Sequence, residues 1–105
     1  MKIYIAGKIT GDPEYRKKFA DAELRVRGHG ENVVLNPAVL PEGLDGEDYM
    51  RICLSMLDSA DAIYMLRDWP HSEGATIELY YARYAGKKIM YETKPRTLRF
   101  SEQSI

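Results

Sequence analysis

Four short apolar runs alternate with three helical stretches along this 105-residue chain. That alternation predicts an α/β fold: a flavodoxin- or Rossmann-like three-layer sandwich, with a parallel sheet of about four strands between helices on both faces. Two further observations narrow it. The connections are short, and right-handed crossovers leave few topologies, of which strand order 2-1-3-4 is the simplest. In that order the chain reverses direction between strands 1 and 3, and ligands bind beyond the carboxyl ends of the strands at such a point.

Each element has its own signal. Lys2-Ile3-Tyr4-Ile5-Ala6 reads as the first strand, ended by Gly7. Gly7-Lys8-Ile9-Thr10-Gly11-Asp12 is a loop with a glycine near each end. Pro13 suits the first turn of a helix, with Asp12 as its expected N-cap. Tyr15, Phe19, Ala22 and Val26 then fall on one helical stripe, and Gly28 and Gly30 end it. Asn32-Val33-Val34-Leu35 is the second strand, followed by a loop from Asn36 to Gly46. Glu47 to Ala60 reads as the second helix, with Tyr49, Cys53, Met56 and Ala60 on one face. Asp61 to Leu66 is the third strand, Gly74 to Gly86 the third helix, and Lys88 to Tyr91 the fourth strand. One domain is expected over residues 1–92, and residues 93–105, without clear periodicity, are expected to form a C-terminal tail or a partner-contacting arm.

Composition excludes several classes. Fifteen Lys+Arg stand against sixteen Asp+Glu, a formal net charge of −1, so no nucleic-acid footprint is visible. No apolar run approaches the roughly 18 residues of a membrane span. A single cysteine, Cys53, cannot form an internal disulfide, and a cytoplasmic location is expected. His29 and His71 lack metal-ligand spacing, so neither a metal nor a cofactor is expected.

The candidate chemistry centres on Glu78. Its helical neighbours Ala75, Tyr81, Ala82 and Ala85 form a small, apolar face suited to packing on a sheet. A carboxylate there must be paired, protonated or used. It is either a structural acid paired with Lys8 or Arg83, or a nucleophile or general acid-base group at the crevice. The first loop, with Gly7, Lys8, Thr10 and Gly11, is either a tight strand-to-helix turn or an anion cradle. Ser72, ahead of Gly74, either caps the third helix or shares that helix end with a phosphate. Tyr4 is either a core tyrosine or a crevice hydroxyl. Cys53 reads as a buried structural thiol. Tyr80, Tyr81 and Tyr84 cannot all face the sheet, so some are expected at a protein interface.

The segments Ile3-Tyr4-Ile5-Ala6-Gly7, Ser59-Ala60-Asp61-Ala62-Ile63-Tyr64 and Gly74-Ala75-Thr76-Ile77-Glu78-Leu79 resemble the nucleoside 2-deoxyribosyltransferase superfamily, in a short branch often carried by phages or prophages. The resemblance implies base transfer or N-glycosidic hydrolysis, with Glu78 attacking the anomeric carbon and Tyr4 holding Glu78. Ser72-Glu73-Gly74-Ala75-Thr76-Ile77-Glu78 and Gly7-Lys8-Ile9-Thr10-Gly11 are similar to the phosphate-contacting segments of the nucleoside 5′-monophosphate N-glycosidases in that superfamily. The implied ligand is therefore a nucleoside monophosphate, and the implied assembly a homodimer or higher homo-oligomer. One position departs from the pattern. Where the superfamily has an acid on the second helix, eight residues before the aspartate matching Asp61, this chain has Cys53. The expected function is N-glycosidic cleavage or base transfer on a (deoxy)nucleoside 5′-monophosphate. The alternative is a catalytically impaired nucleotide-binding or sensing module of the same fold.

Overall fold

The computed structural model describes residues 1–92 and has the expected alternation. β1 (Lys2–Ala6), β2 (Val33–Leu35), β3 (Ala62–Met65) and β4 (Lys88–Tyr91) form one all-parallel sheet in the order β2-β1-β3-β4. The helices are α1 (Tyr15–Arg27), α2 (Gly46–Asp58) and α3 (Glu73–Tyr84). Two 3₁₀ turns, Pro37–Val39 and Trp69–His71, fall within segments expected to be plain loops.

The strands read as nearly continuous apolar runs because both faces of the sheet are covered. Tyr4, Ala6, Ile63 and Met65 pack with Cys53 and Leu57 of α2 and with Ala75, Leu79 and Ala82 of α3. Ile3, Ile5 and Ala62 face the other way, toward Phe19, Ala22 and Val26 of α1. The small residues Ala75 and Ala82 let α3 approach the sheet closely, as its alanine-rich face implied. Leu57, fully buried, belongs to the inner face of α2 together with Cys53, four residues before it.

The start of α1 differs from expectation. Asp12 is not its N-cap; Glu14 occupies that position without a side-chain cap bond. The Asp12 carboxylate accepts instead from the Glu14 N–H at 2.9 Å and from the Lys18 ammonium. Asp12 therefore closes a turn ahead of the helix, and the helix begins at Tyr15. The expected tail, residues 93–105, lies outside the described residues. Among the described residues, no helix is long and apolar enough to cross a membrane.

Candidate active site

β1 and β3 are adjacent, so the loops leaving their carboxyl ends come together. The Leu66 N–H donates to the Ala6 carbonyl at 2.8 Å, and the Lys8 N–H donates to Asp68 Oδ1 at 3.1 Å. Lys18, rising from α1, closes the junction: its ammonium donates to the Lys8 carbonyl and to the carboxylates of Asp12 and Asp68. Burial pulls the Lys18 pKa down, but the two carboxylates outweigh it and the net shift is upward, so Lys18 stays charged. Gly7 is required for close approach: a Cβ there would lie 2.7 Å from Leu66 Cδ1. Gly11 has φ +82°, a left-handed conformation that favours glycine.

The second loop delivers α3. The Asp68-Trp69-Pro70-His71 stretch turns through a 3₁₀ segment, and the Ser72 N–H donates to the Trp69 carbonyl at 3.0 Å. The Ser72 hydroxyl then accepts from the Ala75 N–H at 3.1 Å. Ser72 is thus the N-cap of α3. The N–H groups of Glu73 and Gly74, in the first turn of α3, have no intrahelical acceptor, and both residues line the same crevice.

Between these loops and α2 lies a cavity of about 700 Å³. Tyr4, Gly7, Lys8, Thr10, Cys53, Ser72, Gly74 and Glu78 all contribute to its wall. Gly11 is in the first loop but outside that wall. The Lys8 ammonium reaches the His71 carbonyl at 3.4 Å, so Lys8 spans the two loops and does not pair with Glu78.

Glu78 is 6% exposed. The Tyr4 hydroxyl donates to its Oε2 at 2.8 Å, and that contact, rather than a pairing with Lys8 or Arg83, satisfies the carboxylate. Burial pushes the Glu78 pKa up to about 7, opposed by the Tyr4 hydrogen bond. Burial and the adjacent Glu78 charge hold the Tyr4 pKa well above the usual phenol range, so Tyr4 keeps its proton and remains the donor. Cys53 lies beside the same pair. Burial pushes its thiol up, the Tyr4 hydroxyl draws it down and the Glu78 charge pushes it up; the net shift is upward. Three side chains from β1, α2 and α3, remote in sequence, thus meet at one point of the cavity wall.

Several wall residues were not read as site residues in the sequence: Tyr15 and Tyr49, placed there only on helix faces, and Pro37, Glu42 and Met50. They arrive from the start of α1, the loop after β2 and the start of α2. Arg16 donates to the Ala38 carbonyl at 2.9 Å and approaches Glu42 at 3.4 Å, and the Tyr49 hydroxyl donates to the Pro41 carbonyl. These contacts fix the loop after β2 over the far side of the cavity. Among the described residues no group of histidines, cysteines and carboxylates is arranged to hold a metal.

A family model described as a domain of unknown function (DUF4406) matches residues 1–91. No curated protein matches the chain in sequence. In three dimensions the chain is similar to the 2-desoxiribosyltransferase from Leishmania mexicana, with a TM-score of 0.68 and 21% identity over 95% of this chain and 71% of that one. At that identity the likeness shows the fold.

Proposed function

The chain belongs to the DUF4406 family, and from its fold and the residues gathered in its cavity we propose that it acts on the N-glycosidic bond of (deoxy)nucleoside 5′-monophosphates, by hydrolysis or by transfer of the base. The observation that carries this reading is the buried Tyr4–Glu78 pair, 2.8 Å apart in the wall of a cavity of about 700 Å³. A carboxylate removed from water, held by one neutral donor and open to a ligand cavity, suits nucleophilic attack on an anomeric carbon. The Tyr4 hydrogen bond fixes Oε2 and leaves Oε1 to attack C1′. Negative charge on Glu78 then stabilises the oxocarbenium-like transition state, and water or a second base completes the exchange.

The phosphate is assigned to the end of the cavity where α3 begins. The Glu73 and Gly74 N–H groups and the positive end of the helix macrodipole favour an anion there. Lys8 and Thr10 come from the first loop to the same cavity. Residues 1–92 are the single deoxyribosyltransferase-like domain in this reading, residues 93–105 a tail, and the working assembly a cytoplasmic homodimer. Tyr80 and Tyr84 on α3, 61% and 90% exposed, supply aromatic surface for such an interface.

A second reading, a nucleotide-binding module without turnover, is favoured by one observation. The group beside Glu78 and Tyr4 is a thiol that keeps its proton. Incubating the protein with a panel of nucleoside 5′-monophosphates, and following free base by chromatography, separates the two. Base release that is lost in Glu78→Gln supports the enzyme. Ligand-induced stabilisation with no base release from any nucleotide supports the binding module.

A further inference from the structure

The chemistry of the leaving group sets a demand that the walls around Glu78 do not meet. When a C1′–N bond breaks, its electron pair goes to the base. A neutral purine or pyrimidine then leaves as an anion unless a proton reaches it, and such acid assistance is worth about 10²–10⁴-fold. Glu78 itself must be ionised to attack. The Tyr4 proton is engaged with Glu78 Oε2, and Cys53 is a thiol in the place nearest to that pair. The other titratable groups on the wall are engaged, exposed to solvent or packed on the opposite side of the sheet. Lys8 reaches the His71 carbonyl, Glu42 pairs with Arg16, and the Tyr49 hydroxyl donates to Pro41. His71 and Glu73 line the cavity from exposed positions, and Tyr15 packs against Ile5 and Phe19 on the other side of the sheet.

Charge on the wall points the same way. Glu42, Glu73 and Glu78 line the cavity with Lys8; Glu42 is paired with Arg16 and Glu73 stands in the first turn of α3, which leaves Glu78 as the buried carboxylate beside Tyr4 and Cys53. A buried carboxylate attracts a cationic ring, while the α3 N-terminus offers an anion site nearby.

We propose, resting on the N-glycosidic reading above, that this site is matched to nucleoside 5′-monophosphates whose base is bound as a cation, a pyridinium or an N7-alkylated purine. Such a base needs no proton to leave. Glu78 attacks C1′, a C–O bond forms as the C1′–N bond breaks, and the electron pair returns to the ring nitrogen. The ring charge is cancelled and the base departs neutral. Water then attacks C1′, the C–O bond to Glu78 breaks, the carboxylate is restored and one proton passes to solvent. Overall, nucleotide and water give free base, sugar 5-phosphate and a proton. A nucleotide of this class is a zwitterion, with its cation at the base end and its anion at the phosphate end.

The test pairs 7-methylguanosine 5′-monophosphate with GMP, which differ by one methyl group and one charge, and adds nicotinamide mononucleotide against AMP. Free base is measured for the wild type and for Cys53→Asp, with melting temperature as the control for folding. The cationic member of each pair is expected to react with kcat/KM at least about 10²-fold higher, the size of the missing acid term. In Cys53→Asp the GMP rate rises and the ratio narrows; because both proteins meet the same nucleotides, intrinsic lability cancels from that comparison. Equal wild-type rates for the two members, each above its spontaneous rate, would overturn this inference and leave the N-glycosidic reading standing. No release from any nucleotide would overturn both. If Cys53→Asp does not fold, the wild-type ratio decides after division by the ratio of the spontaneous hydrolysis rates of the same two nucleotides.

Discussion

Burial of Glu78 makes stability depend on pH in a direction that Glu78→Gln removes. The folded-state pKa stands at about 7 against an ordinary value of 4.5. The native state therefore binds a proton that the unfolded state has released throughout that window. The stabilising contribution is full below about pH 4.5 and is lost as pH rises through about 7. At about 1.4 kcal/mol per pH unit the whole loss is about 3 kcal/mol, of which about 2.5 falls between pH 5 and 8. Glu78 is only 6% exposed, so solvent screening removes little of it. Glu78→Gln keeps the acceptor for the Tyr4 hydroxyl and carries no charge to desolvate. Its new amide N–H groups lack an evident acceptor and cost about 1–3 kcal/mol at every pH. Urea titrations of both proteins at pH 5, 6, 7 and 8 give the two profiles, and their difference cancels all other titrating groups. Wild-type stability relative to the variant is expected to fall by about 2–3 kcal/mol across that range. A difference that stays flat, or that grows toward high pH, would refute the assignment of Glu78 as a desolvated carboxylate.

Other outcomes follow from the same geometry. Tyr4→Phe removes the one hydrogen bond that opposes the rise in the Glu78 pKa, so base release should need a higher pH than in the wild type, with a stability loss of about 1–2 kcal/mol at pH 7; pH–rate profiles and melts check both. Nucleoside 5′-monophosphates should bind more tightly than the matching nucleosides, because the N-terminus of α3 lies at the cavity and favours an anion, and calorimetry giving equal affinities would remove the phosphate assignment. Light scattering should report a homodimer, and Tyr84→Lys on the exposed face of α3 should weaken it; a monomer at high concentration would contradict the interface reading.

Much of this fold was legible because its signals are local. The apolar run Ile3–Ala6, the closing glycine at position 7 and the stripe Phe19, Ala22, Val26 each reflect a period set by the backbone, and the structure buries all of them. Glu78 stood out for the same reason, as a carboxylate on an alanine face. What could not be read depends on tertiary placement. Lys18 joins Asp12 and Asp68 across 6 and 50 residues of sequence, and no local pattern links them. Tyr15, Tyr49 and Met50 become cavity wall only because the starts of α1 and α2 converge on the carboxyl edge of the sheet. The turn at Pro37 did have a local signal: Asn36 before a proline, whose side chain accepts from the Ala38 N–H at 2.8 Å. The shortened start of α1 shows the reverse error. Asp12 beside Pro13 looks like a cap, but the Glu14 N–H and the Lys18 ammonium take its carboxylate first.

That Glu78 is a nucleophile is tested most directly by looking for the bond it forms. The protein is incubated with a 2′-fluoro-arabinosyl nucleoside 5′-monophosphate, whose fluorine slows breakdown of a glycosyl-enzyme, and its intact mass and peptides are then measured. A covalent sugar phosphate on the peptide that carries Glu78, absent from Glu78→Gln, is the predicted result. Base release by the wild type with no adduct, or with an adduct at another residue, would contradict the assignment.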